Sequence, residues 1–217
     1  VPVSLSFDCR SPVARVNGLA AAVDAVRRGE VVVLPADASY GVGVDAFQPT
    51  AVDALARVKG RGRDLPVPVL VGSWRALDGL VLVTPRAARE LVEAFWPGPL
   101  TVVVEHAPSL AWDLGDARGR VAVRMPLHPV ALELLAETGP LAVSSANRAG
   151  LPPATDAEQA REQLGLEVAV YLDGGPCAEP MPSTIVEVTG GLPRVLRLGA
   201  ISLDQLTDVV GEVTAPS

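Results

Sequence analysis

The chain has 217 residues, 49% apolar and only 4% aromatic, so its core must be built from Val, Leu and Ala, a mix common in buried sheets flanked by helices. Its formal charge of −7 argues against a surface that grips nucleic acid non-specifically, while leaving room for a local basic pocket. Cys9 and Cys177 have no metal-like spacing, and the scarcity of histidine, with only His106 and His128, weakens a His-based metal centre or triad, so no metal-ligating residues are expected. No apolar run approaches the ~18 residues that span a bilayer and no signal-peptide pattern opens the chain, so a cytoplasmic protein with reduced thiols and no membrane contact is expected.

In chain order, a helix is predicted over Val16 to Arg28 with Gly29 as its stop, then a buried strand in EVVVLP ending at Pro35. PADASYGVG, 35–43, reads as a strand-to-helix loop. The next helix runs from a capping box near Thr50 to about Lys59. PVPVLV, 66–71, reads as a strand whose prolines push it to a sheet edge. Thr84 and Pro85 open a helix to about Phe95. PLTVVVE, RVAVRMP and PLAVS read as strands, with a helix from His128 to Glu137 between the last two. Thr155 and Glu158 cap another helix, VAVYL, STIVEV and RVLRL are further strands, and Ser202 with Gln205 caps a last helix to Val210 before a loose tail. The alternation predicts an α/β fold with a mixed, twisted open sheet flanked by helices. It forms one domain over 1–217, with a core of about 14–210.

The polar residues that interrupt apolar strands cluster just after strand ends, where open α/β sheets bind ligands. K-G-R-G-R, 59–63, holds the only lysine, Lys59, beside Arg61, in a chain with 17 arginines. It suits either a helix C-terminus complementing the dipole or a phosphate clamp pairing a compact ammonium with a forked guanidinium. SSAN, 144–147, offers hydroxyls and an amide at a strand end, for a phosphate or simply for an Asx turn. Arg120 and Arg124, four apart on one strand, share a face and call for an anion or a carboxylate partner. Ser183 and Arg197 follow on later strands, and Asp37 reads as an exposed loop aspartate unless it serves as an acid or base. Neither a Walker A sequence nor GxGxxG occurs.

Seven segments in register, PADASYGVG, KGRGRDLPVPVLV, WPGPLTVVV, VAVRMPLHP, SSANRAG, DGG…STIVEV and RVLRLG, resemble the YrdC family of L-threonylcarbamoyladenylate synthases from about Ala14 to Val210. The resemblance implies a YrdC-like sheet with a concave ligand pocket. It also implies a nucleotidyltransferase that joins L-threonine, bicarbonate and ATP, with Mg2+ carried by the nucleotide, into threonylcarbamoyl-adenylate and pyrophosphate. The product would pass to a tRNA threonylcarbamoyl-transfer complex for N6 of adenosine at tRNA position 37, with little direct contact to tRNA. By position it implies Lys59, Arg61, Ser145 and Asn147 as the catalytic, nucleotide-binding set, joined at the nucleotide by Arg197 and Arg120. Ala38, Tyr40, Arg124, Val143 and Ser183 would hold L-threonine. Longer relatives carry a further C-terminal domain for which this chain is expected to be too short. Ala36 and Ala38 stand where the family's PTxTxYGL segment has threonines, and Leu70 where some relatives have histidine. Those alanines keep open a divergent paralogue activating another carbamate, and a nucleotide- or RNA-binding module without catalysis.

Overall fold

Strand β2 (Val32–Pro35) is buried on both faces, which places it near the centre of a layered α/β structure. The computed structural model describes residues 3–60, 62, 66–177 and 181–216. Arg61, part of the expected nucleotide set, lies outside them. The other strands are β1 (Leu5–Asp8), β3 (Tyr40–Asp45), β4 (Val69–Leu70), β5 (Leu100–Glu105), β6 (Arg120–Arg124), β7 (Leu141–Ser145), β8 (Val170–Asp173), β9 (Thr184–Glu187) and β10 (Arg194–Arg197). The helices are α1 (Pro12–Arg27), α2 (Pro49–Lys59), α3 (Ala76–Leu80), α4 (Arg86–Phe95), α5 (Pro129–Thr138), α6 (Ala157–Leu164) and α7 (Leu203–Val210). The strands form one mixed sheet in the order β1-β8-β2-β3-β7-β4-β6-β5-β9-β10.

The two faces are covered unequally, and this creates the site. On one face α2, α4, α6 and α7 pack along the sheet, over Val33, Val42, Val69, Val102, Val123, Val186 and Val195 among others. On the other, α1 and α5 cover Val32, Leu34, Leu70, Leu141, Val143, Val170 and Leu172, which belong to β2, β4, β7 and β8 only. Strands β6, β5, β9 and β10 contribute nothing to that second cluster. Their side chains on this face do not pack under α1 or α5.

Several elements differ from the sequence reading. Residues 40–45, expected in a loop, form β3, antiparallel to β2 and β7. The glycines that suggested a loop are there for close packing: a Cβ at Gly41 would lie 2.7 Å from Val143 Cγ1. Strand β4, expected at an edge, sits between β7 and β6; its prolines shorten it to two residues, and the Pro68 carbonyl still accepts from Val143 N at 2.9 Å. Helix α1 starts at Pro12, whose fixed φ suits a first helical turn. Helix α6 is capped by Asp156, which accepts from Gln159 N, instead of by Thr155 and Glu158. The Ser202–Gln205 capping box on α7 is present. The tail expected to be loose is pinned to the β10 edge, where Thr214 O accepts from Val195 N at 2.9 Å. No described helix is long and apolar enough to cross a membrane.

Candidate active site

Paired residues on adjacent strands point to the same face, so register reveals what shares the uncovered surface. Leu70 pairs with Arg124, Thr101 with Ile185, and Ile185 with Arg197. Val102 pairs with Val123, which brings Thr101 beside Arg124. Arg124, Thr101, Ile185 and Arg197 therefore form a transverse row that begins where α5 stops covering the sheet. The next row holds Ala122, Val103, Glu187 and Arg194.

At the first row, a cavity of about 450 Å3 opens between the 35–38 turn, Gly98, Arg124, the start of α5 and the 175–177 loop. Ala38 lines it, together with Pro99, Leu127, Met181 and Cys177. The Arg124 side chain is only 12% exposed. Its Nε donates to Gly98 O at 3.0 Å and its Nη2 to the Asp37 carboxylate. A guanidinium has five N–H donors, of which the described residues engage two. Burial lowers the Arg124 pKa while Asp37 opposes that shift. The group nevertheless stays charged at any pH the protein meets.

Ser183 is buried beside it, its Oγ 2.9 Å from Thr101 Oγ1. Arg197 donates from Nε and Nη2 to Ser183 O, at 3.1 and 2.7 Å, and from Nη2 to Ser183 Oγ at 3.1 Å. A Cβ at Gly199 would fall 2.1 Å from Pro182 O, so only glycine lets the segment after β10 close against Ser183. Arg120 instead donates to Glu187 Oε1 at 2.5 Å, while Arg194 holds Oε2 of the same carboxylate at 2.6 Å. The structural salt bridge left open by the sequence is thus formed at Arg120. Its exposed edge still faces the uncovered side.

At the end of β7, Lys59 is 3% exposed. Gly60, with φ +64°, ends α2 in the left-handed conformation. From there the Lys59 ammonium donates to Ser145 O and Asn147 O, both at 2.5 Å, and to Asn147 Oδ1 at 2.8 Å. Ser145 Oγ donates to the same Asn147 Oδ1 at 2.6 Å, and Asn147 Nδ2 donates to Leu151 O at 2.7 Å. Lysine answers here to a narrow enclosure of oxygens that three rotatable donors can serve and a flat guanidinium cannot. The structure brings Lys59, Ser145 and Asn147 into direct contact.

Two expected substrate contacts lie behind the surface. Tyr40 is 0% exposed, and its hydroxyl donates to Gly175 O at 2.6 Å and accepts from Gly174 N at 3.0 Å, bracing the 174–177 loop. Val143 is buried, with its methyls filling the space over Gly41 and Gly43. Neither lines the cavity, and Tyr40 acts on it through the 174–177 loop. The sequence reading passed over Thr101, Gly98 and the engagement of Asp37. Only Asp37 carried a signal, as the one charged residue between Pro35 and Tyr40.

The sequence family Sua5_yciO_yrdC, described as "Telomere recombination", matches residues 24–199. A Mycobacterium tuberculosis protein provisionally named threonylcarbamoyl-AMP synthase is 59% identical over 206 residues, 95% of each chain. The Bacillus subtilis threonylcarbamoyl-AMP synthase is 36% identical over 197 residues, which cover 90% of this chain and 57% of that protein. The crystal structure of Pyrococcus abyssi Sua5 complexed with L-threonine superposes with a TM-score of 0.86 at 31% identity, over 98% of this chain and 62% of that one.

Proposed function

The chain belongs to the Sua5/YciO/YrdC family, and on that footing we propose that it makes threonylcarbamoyl-adenylate from L-threonine, bicarbonate and ATP. The observation that carries the reading is the half-uncovered sheet, which sets Arg124 at the cavity, with Thr101 and Arg197 in the same row and Ser183 bonded to both, while Lys59 locks Ser145 and Asn147 at the end of β7. The complex of the Pyrococcus abyssi protein with L-threonine supports an amino acid as the ligand of such a cavity.

In this reading the α-carboxylate of threonine takes the remaining N–H groups of Arg124, with Ala38 and Ser183 around the side chain. ATP lies across the Lys59–Ser145–Asn147 corner toward Arg197 and Arg120, with Arg61 on its phosphates. The threonine amine attacks the bicarbonate carbon, water leaves, and a carbamate forms. A carbamate oxygen then attacks the α-phosphorus and breaks its bond to the β-phosphate bridge, releasing pyrophosphate. No protein nucleophile is needed; the protein aligns two anions and offsets charge on the phosphates. Mg2+ belongs to the nucleotide substrate. The activity is that of a nucleotidyltransferase acting in the cytoplasm. Its product goes to the complex that modifies tRNA, which the chain's net negative charge disfavours as a direct partner.

The alanines at 36 and 38 favour one competing reading, a different amine in the same pocket. Pyrophosphate release from Mg-ATP and bicarbonate, with L-threonine and a panel of other amines, separates the two. Threonine-dependent release with the product mass is the expected result. Turnover with another amine alone would overturn it.

A further inference from the structure

Asp37 sits in the turn between β2 and β3 with φ +71°, in the left-handed region that non-glycine residues seldom occupy and aspartate tolerates better than most. Its carboxylate accepts from Arg124 Nη2, from Leu127 N at 3.0 and 3.1 Å, and from His128 N at 2.8 Å. Three N–H donors hold this carboxylate, one of them, Leu127 N, shared between its two oxygens. It thereby ties the arginine of β6 to the amides that open α5, where a negative charge is favoured.

We propose that Asp37 is a positioning residue for the amino-acid substrate, fixing the Arg124 guanidinium so that its remaining donors face the cavity. Arg124 is mostly buried, and Gly98 O restrains only its Nε. Without the carboxylate the guanidinium keeps one tether and loses the anion that compensates its burial. The proposal rests on Arg124 being the anchor for the threonine carboxylate. It assigns the unusual backbone of the 36–39 turn to substrate affinity.

The test is steady-state kinetics on the full chain, wild type against Asp37→Asn, Arg124→Gln and the double variant. Asparagine keeps the tolerance for positive φ and an acceptor for the α5 amides, and it removes the charge. The Michaelis constant for L-threonine should rise about tenfold or more in Asp37→Asn, with that for ATP changed less than about twofold. If Asp37 acts through Arg124, the double variant will be no worse than Arg124→Gln alone. Should Asp37→Asn fail to fold, Asp37→Ser, which also keeps an acceptor for the α5 amides, replaces it in the same cycle. An unchanged threonine constant, equal rises for threonine and ATP, or additive losses would overturn the proposal. Failure of the underlying functional reading looks different, since the wild type itself would then show no threonine-dependent turnover.

Discussion

The ammonium of Lys59 bonds to both oxygens of Asn147, the main-chain one at 2.5 Å and the side-chain one at 2.8 Å, across 88 residues of sequence. Lys59→Ala leaves those buried acceptors and Ser145 O without this donor, at a cost of about 1–3 kcal/mol. For a chain of this size that lowers the melting temperature by about 2–12 °C. Adenylate formation should be lost in the same variant, and Lys59→Arg should not restore it, because a fork does not fit the enclosure. Calorimetry with the pyrophosphate assay checks both parts.

Ala38 faces the cavity that Arg124 closes. Ala38→Thr places a hydroxyl there and should lower the Michaelis constant for L-threonine about 2- to 10-fold, the worth of one net hydrogen bond. An unchanged constant would mean that the alanine is neutral toward this substrate.

Tyr40→Phe removes a fully buried hydroxyl that holds Gly174 N and Gly175 O. The unpaired groups cost about 1–3 kcal/mol. The 174–177 loop should then exchange its amide hydrogens faster, and threonine should bind more weakly. Hydrogen exchange reads the first effect and titration calorimetry the second.

His128 caps α5, its Nδ1 accepting from Val130 N at 3.3 Å, and its ring packs where a Cβ on Gly174 would come within 2.6 Å of Cε1. Burial, its largest influence, holds its pKa below 6.5, against the Asp37 carboxylate that raises it. The unfolded chain therefore takes up this proton first as pH falls through about 6.5. The contribution is fully present above that pH and is lost on acidification. The drop in melting temperature from pH 7.5 to 5.5 should be smaller in His128→Asn, which keeps a capping side chain but does not titrate.

Local patterns made much of this molecule legible in the sequence. Runs such as VVVLP and LTVVV read as buried strands, the Ser202–Gln205 box marked the start of α7, and His128 marked that of α5. Lys59 stood out as the only lysine, at a helix end, and Ser145, Asn147, Arg124, Ser183 and Arg197 as polar residues on or beside apolar strands. That much depends on periodicity and on which residue types tolerate burial. The tertiary structure alone decided that Gly41 and Gly43 lie in a strand, since their neighbour Val143 is 100 residues away or more. It also decided that β4 is central, that Tyr40 works from behind the pocket, and that Arg120 is paired with Glu187 while Arg124 is paired with Asp37. Two arginines four residues apart on one strand look alike in sequence. What separates them is where α5 ends across the sheet, and that edge is set by packing between elements distant along the chain.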